Sequence, residues 1–431
     1  MYVVPKSKKE NTADESASLA RDGRGDIHKV ASLFTGIGGL ERGLSAHGHS
    51  TVEMCENDGI ARAVLKHRFP GIPLHEDVRD LRSLHCDATL LAAGFPCQDL
   101  SQAGKTLGIG GARSGLVGEV IRLIEHHRTP WVLLENVPFM LQLGRGAAMN
   151  LLASEFERLG YKWAYRVIDA RAFGLPQRRR RVYFLASLLG DPRTILFADE
   201  ANQPELSSRT SGSAYGFYWT EGIRGLGWAV DAVPTLKGGS TIGIPSSPAM
   251  WLSDGSVATL DLRDAERLQG FPTDWTQPAE TIAKKGSRWR LIGNAVSVPV
   301  AEWIGRRMLS PGDPLDLPES PLDQTRTWPA AACNLGDGRK RVIVSEWPEN
   351  NPVQELEAFL EFSPPLLSAK ATAGFLKRTE RAKLRFPVGF LDALRAHLAR
   401  VSNADQKTPL CNGLHENAQT TRSNGVWTVQ A

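Results

Sequence analysis

The stretch "VASLFTGIGGLERGL", residues 30–44, is an apolar β-prone run, a glycine-rich turn and the start of a helix. Gly36, Gly38 and Gly39 permit a tight turn and a close approach by a ligand. Twenty residues after Gly36, Glu56 closes the next β-prone run, where a carboxylate can hydrogen-bond ribose hydroxyls. The dinucleotide pattern G-x-G-x-x-G is broken, because Glu41 stands at its third glycine position. A ligand with an adenosine but no pyrophosphate suits this turn better than a nicotinamide or flavin dinucleotide.

Working outward, the same alternation continues. "IHKVASLF" (27–34), "STVEMC" (50–55), "ATLLAAGF" (88–95), "WVLLENV" (131–137), "KWAYRVID" (162–169) and "RVYFLAS" (181–187) read as strands separated by helical patterns. Such βα repetition predicts an α/β fold: a doubly wound, mainly parallel sheet with helices on both faces and its ligand site at the carboxyl ends of the strands. Near residue 190 the pattern gives way to a region rich in Gly, Ser, Thr and Trp, predicting a smaller loop-rich domain. Helical character returns in "DLRDAERLQGF" (261–271) and after "SRWRLIGNAVSVPV" (287–300). The expected organisation is a flexible arm over 1–26, a main domain over 27–190, the loop-rich domain over 191–285, a return segment over 286–310, and a Pro-rich linker with a tail over 311–431.

A chain of 431 residues, 42% hydrophobic and 23% charged, is long enough for two or three globular units. Its 51 basic and 47 acidic residues permit a nucleic-acid partner without requiring one. The five cysteines, at 55, 86, 97, 333 and 411, are scattered, with no C-x-x-C pair and no metal-type spacing, which implies reduced thiols in a cytosol and no bound metal. No run approaches the roughly 18 apolar residues of a membrane span, so no membrane partner is expected.

Three segments carry candidate chemistry. In "GFPCQDLSQAGK" (94–105), Cys97 follows the end of a strand; in "LLENV" (133–137), Glu135 stands at the end of the next. "AFGLPQRRRRVYF" (172–184) leads four arginines into a strand, and side-chain alternation puts Arg179 and Arg181 on one face and Arg178 and Arg180 on the other. Taken singly, a core cysteine, a capping glutamate and a solvated arginine run would explain them. Their order and spacing together do not have that ordinary explanation.

"FTGIGGL", "GFPCQDLS", "ENV", "QRRRRVYF", "RLQGFP" and "GNAVSVPV" occur in the order in which they occur in DNA (cytosine-5)-methyltransferases, and the sequence resembles that family from about residue 28 to 310. The resemblance implies a Rossmann-like domain using S-adenosyl-L-methionine and a loop-rich target-recognition domain. It implies Cys97 as the nucleophile for cytosine carbon 6, Glu135 at N3, Arg181 at O2, and Arg179 supporting the same pocket. Phe34, Gly36, Ile37 and Gly39 would line the cofactor site, with Glu56 on the ribose and Asp77 and Val78 at the adenine. Pro96, Leu116, Asn294 and Val296 would close it.

Double-stranded DNA is the implied partner. Ser101 matches a phosphate-binding serine, and Lys105 and Arg113 are further candidate phosphate contacts in a glycine-rich stretch suited to closing over a flipped base. Within "VPTLKGGSTIGIP" (233–245), Thr235, Lys237, Ser240 and Thr241 are the candidate base or phosphate readers. The family's usual state implies a monomer, and its bacterial members imply a cytoplasmic enzyme at the nucleoid, linked to restriction. Other readings are a tRNA cytosine methyltransferase of the same family, a non-catalytic member that only binds DNA or a partner enzyme, and a nicotinamide oxidoreductase, which Glu41 disfavours. The basic tail segment "GFLKRTERAKLRFPVGF" (374–390) reads as a solvated helical face or a DNA-backbone contact.

Overall fold

The computed structural model describes residues 25–95, 115–201, 213–221, 223, 225–239, 247–322, 327–407, 419–423 and 426–430. Pro96, Cys97, Ser101, Lys105, Arg113, Ser240 and Thr241 lie outside the described residues, as does most of the expected N-terminal arm.

The first half alternates as its sequence requires: β1 (Lys29–Leu33), α1 (Gly39–Ser45), β2 (Ser50–Cys55), α2 (Gly59–Arg68), β3 (Leu74–His75), β4 (Leu90–Ala93), α3 (Leu116–His127), β5 (Trp131–Asn136), α4 (Ala147–Arg158) and β6 (Lys162–Asp169). Then come β7 (Gln177–Arg178), β8 (Arg180–Ser187) and α5 (Arg193–Leu196). Strands β3, β2, β1, β4 and β5 pair in parallel in that spatial order. Beyond β5 the sheet is antiparallel, through β8 and then β6.

Burial on both faces explains the continuous apolar runs of these strands. Ala31, Leu33, Leu91, Ala93, Val132 and Leu134 share one core with Val117, Ile121, Met149, Leu152 and Phe156 of α3 and α4. The alternate residues Val30, Leu90, Ala92 and Leu133 share the other core with Leu40 and Leu44 of α1. The period of two along each strand therefore decides which layer each side chain joins.

The second half begins with short strands: β9 (Tyr215–Phe217), β10 (Ala229–Val230), β11 (Val233–Pro234), β12 (Ala249–Trp251) and β13 (Val257–Thr259). Four of them form an antiparallel sheet in the order β10-β9-β12-β13, while β11 pairs with β7 and ties this region to the main domain. There follow α6 (Leu262–Arg267), α7 (Arg288–Asn294) and α8 (Val298–Leu309). Helix α8 returns beneath α1, placing Val300, Ala301 and Ile304 in the same core as Leu40 and Leu44. The helices approach closely because a Cβ on Gly43 would lie 2.5 Å from that of Ala301.

The structure differs most from the sequence reading after residue 311. Strands β14 (Glu319–Pro321), β15 (Ala331–Asn334) and β16 (Lys340–Val342) extend the main sheet antiparallel from β6, giving ten strands in the order β14-β16-β15-β6-β8-β5-β4-β1-β2-β3. The remaining elements are α9 (Leu356–Phe359), α10 (Ala369–Arg381), α11 (Phe390–Lys407), β17 (Gln419–Ser423) and β18 (Val426–Gln430). Leu356, Phe359 and Leu360 pack with Val233, Met250 and Leu260 in one core, and Phe375, Phe390 and Leu394 pack with Phe217, Ala249 and Val257 in another. The small sheet is too narrow to bury its own faces, so this chain end supplies much of its covering. Among the described residues no helix is long and apolar enough to cross a membrane.

Candidate active site

The carboxyl ends of β1, β2, β4 and β5 open onto a cavity of about 360 Å³. Phe34, Gly36 and Ile37 border it after β1, Glu56 to Asp58 after β2, Gly94 and Phe95 after β4, and Glu135 to Val137 at the end of β5. Arg179, Arg181, Arg290, Leu291, Gly293 and Asn294 complete its wall.

The turn after β1 is strained and pinned. Phe34 has φ 54° and Gly36 φ 60°, a backbone region that favours glycine. Gly38 caps α1 at φ 88°, and a Cβ there would strike the Phe69 ring at 2.3 Å. From β2, Glu56 accepts the Gly36 N–H through Oε2 and the Asp58 N–H through Oε1, each at 2.8 Å. Burial raises the Glu56 pKa, and these two N–H donors oppose that rise. On the other side, Trp275 Nε1 donates to Ile37 O at 2.8 Å. A Cβ on Gly39 would lie 2.8 Å from Val296 O, so the turn is packed directly on the "GNAV" segment.

Beside the turn stand the charged groups. Register pairs Asn136 with Val182, so the start of β8 delivers Arg181 to the end of β5. Arg181 Nε lies 3.0 Å from Glu135 Oε1. Burial raises the Glu135 pKa; Arg181 and then Arg179 pull it back down. Asn136 Nδ2 donates to Phe95 O at 3.0 Å, fixing the backbone immediately before the Pro-Cys-Gln segment.

Alternation separates the four arginines in space. Arg178 and Arg180 are exposed, whereas Arg179 is 1% exposed and Arg181 partly buried. Arg179 donates to Leu236 O at 3.0 Å, Gly293 O at 3.3 Å and Ala295 O at 2.5 Å. Burial and then Arg181 lower its pKa to about 9, so it remains charged at neutral pH. From between β7 and β8 its guanidinium reaches the segment 235–239 and the end of α7, and Arg180 instead pairs outward with Glu346.

Other expected residues stand apart from the cavity wall. Asp77 accepts from the Arg79 N–H as an N-cap and pairs with the Arg79 guanidinium, whose hydrogen bonds lower the Asp77 pKa to about 2. Val78 is buried in the main core, and Leu116 begins α3 against it. Val296 packs behind Gly39 and beside Gly94. In the small domain, Thr235 Oγ1 donates to Arg178 O at 2.7 Å, and Lys237 Nζ lies 2.7 Å from Glu221 and 3.7 Å from the Tyr218 ring centroid.

The structure also brings in Asn57, Asp58 and Arg290, which sequence reasoning did not single out. Asp58 caps α2 and pairs through Oδ2 with Arg290 at 2.6 Å. The position of Asp58 two residues beyond Glu56 was a usable signal; nothing local marks Arg290, which reaches the cavity only because α7 packs beside the turn.

The sequence profile of C-5 cytosine-specific DNA methylases matches residues 28–212 and 198–310. The Type II methyltransferase M2.BsuMI of Bacillus subtilis (strain 168) is 50% identical over 366 residues, covering 82% of this chain and 93% of its own length. The Type II methyltransferase M.MspI of Moraxella sp is 28% identical over 309 residues, covering 67% and 72%. A crystal structure of S. pombe Dnmt2 methyltransferase is 17% identical, covers 65% of this chain and 98% of its own, and superposes with a TM-score of 0.47.

Proposed function

Since the chain belongs to the C-5 cytosine-specific DNA methylase family and is a DNA cytosine-5 methyltransferase, we propose that it methylates a cytosine flipped out of a short sequence in double-stranded DNA, using S-adenosyl-L-methionine and Cys97. The observation that carries this reading is the buried Glu135–Arg181 pair, one strand away from the Gly94–Phe95 segment that leads into Cys97.

The donor set suits S-adenosylmethionine. Each oxygen of Glu56 accepts one N–H and keeps acceptor capacity for ribose hydroxyls. Around Gly36 a Cβ would meet no atom within 4 Å, leaving space for a ligand against the turn, and Phe34, Ile37 and Phe95 supply apolar surface. Phe34, Gly36, Ile37, Glu56 and Asn294 would hold the cofactor, with Gly39 and Val296 supporting the turn from behind. When bound, S-adenosylmethionine supplies a methyl group bonded to a sulfonium, an electrophile for carbon 5.

Cytosine carbon 5 is a poor nucleophile until a thiolate adds at carbon 6. The Cys97 sulfur forms the bond to carbon 6, and the ring electrons move toward N3 and O2. Glu135, whose pKa burial raises, holds a proton for N3. Arg181 donates to O2, where the developing negative charge is stabilised by its guanidinium. After carbon 5 is methylated, solvent water takes the carbon 5 proton, and the electron pair of that C–H bond re-forms the C5–C6 double bond as the carbon 6–sulfur bond breaks and its pair returns to the Cys97 thiolate. N3 then returns its proton to Glu135.

The base must leave the duplex, at a few kcal/mol. Thr235 and Lys237 are the proposed readers in this region; their contacts to Arg178 O and Glu221 are ones that DNA would replace. In the Lys237–Glu221 pair Lys237 is exposed and Glu221 half-buried, so the ammonium is open to exchange its carboxylate for a phosphate. Ser101, Lys105, Arg113, Ser240 and Thr241 complete the proposed DNA contacts.

The test is bisulfite sequencing of mixed-sequence duplex DNA after incubation with the protein and S-adenosylmethionine, beside Cys97→Ser. Protected cytosines in one recurrent context, absent with the variant, are expected. Unmodified DNA with a bound cofactor would overturn the duplex substrate; modification by Cys97→Ser would overturn the nucleophile.

A further inference from the structure

Resting on the DNA methyltransferase reading, we propose that the helical hairpin α10–α11 carries a second DNA surface, which grips phosphates outside the recognition sequence. Six lysines and arginines against one glutamate fall between residues 369 and 385, whereas the whole chain has a formal charge of only +4. This segment concentrates the basic excess that composition alone spreads too thinly to interpret.

Packing decides which way the charges point. Phe375, Leu376 and Thr379 of α10 are buried, with Phe375 stacked on Phe217 of β9 at 5.2 Å between ring centroids. Lys377, Arg381, Lys383 and Arg385 are left exposed. Among the described residues none of these four has an ion-pair partner, and the neighbouring Glu380 is taken by Arg395 at 3.0 Å. Four uncompensated cations within nine residues repel one another, and a polyanion relieves that repulsion.

A chain of contacts leads from this cluster to the active site. On the same helix, Arg378 donates to Glu221 O at 2.9 Å and to Trp219 O at 2.6 Å. The Glu221 carboxylate holds Lys237, and the next residue back, Leu236, gives its carbonyl to Arg179 at the cavity. Hence a duplex engaged at segment 235–239 passes beside the end of α10. A solvated face would have no reason to be anchored through an arginine to the recognition region.

Phosphate contacts reveal themselves in salt dependence, since each contributes about −0.9 to the slope of log affinity against log salt. The probe is a mixed-sequence duplex of about 40 base pairs, roughly four helical turns, followed by fluorescence anisotropy across salt concentrations. Lys377→Gln/Arg381→Gln/Lys383→Gln/Arg385→Gln is expected to reduce the slope by about 2 to 4 and to weaken binding at least tenfold at low salt, with an unchanged melting temperature. A wild-type slope and affinity in the folded variant overturn the proposal. Should the variant not fold, amine acetylation of the wild-type protein decides: protection of Lys377 and Lys383 by the duplex supports the surface, and equal labelling with and without DNA overturns it. Methyl transfer by the wild-type protein on the same duplex is scored separately, so that loss of this inference leaves the enzymatic reading standing and the reverse is also visible.

Discussion

Arg181 Nε sits 3.0 Å from Glu135 Oε1, with about a tenth of either side chain exposed. Burial alone would keep Glu135 protonated more readily than a solvated carboxyl, and Arg181 opposes it. If protonated Glu135 serves N3, activity falls as pH rises through its pKa. Arg181→Gln leaves burial less opposed, so the alkaline limb of the kcat/KM profile should move to higher pH while the rate drops by about 10²–10³. Glu135→Gln should cost a hundredfold or more and flatten that limb. An alkaline limb indifferent to both changes would remove Glu135 from the proton inventory.

Arg179 gives its donors to three carbonyls contributed by two separate segments. Lysine has the charge but not the fork, so Arg179→Lys leaves buried carbonyls without partners. The expected loss is about 2–4 kcal/mol in equilibrium denaturation. A loss below 0.5 kcal/mol, the range of ordinary surface substitutions, would contradict a clasp role.

A Cβ on Gly293 would lie 2.1 Å from the Lys237 carbonyl carbon, with backbone on both sides of the clash. No rotamer change relieves it, so Gly293→Ala should separate the segments at 237 and 293 and cost about 1–3 kcal/mol or more. Gly286→Ala, where a Cβ meets nothing within 4 Å, is the control and should be neutral or slightly stabilising. Melting curves of the two variants measured side by side decide the point.

Glu41 occupies the position that a dinucleotide-binding turn would give to glycine, and it is buried. Ser32 Oγ donates to its Oε1, while Oε2 has no partner. Burial raises its pKa from 4.5 to about 7. Between these values the folded chain binds the proton that the unfolded chain has released, so stability falls as pH rises through this window. Glu41→Gln should therefore match wild type near pH 4, below this window, and exceed it by on the order of 3 kcal/mol at pH 8. Chemical denaturation at both pH values checks the sign; a gap that narrows toward pH 8 would refute it.

Runs such as "ATLLAAGF" and "WVLLENV" contain β4 and β5 because a strand buried on both faces reads as a nearly continuous apolar run. Strands of two or three residues, such as β7, β10 and β14, have no period to detect. The role of residues 311–407 was illegible for a related reason. A proline-rich composition describes local backbone preference, whereas pairing of Ala331–Asn334 with β6 depends on an edge built some 170 residues earlier.

The sequence by itself determined the family, the doubly wound core and the order of its motifs, since these depend on local period and on short chemical signatures. It also separated the arginines of the run into two faces, because alternation in an extended chain is local geometry. Only the tertiary structure decided that Arg179 binds carbonyls while Arg181 meets Glu135, and that the chain end covers the small sheet. These are contacts between segments distant in the chain, and a side chain's partner is selected by the packing of whole elements rather than by its neighbours in sequence.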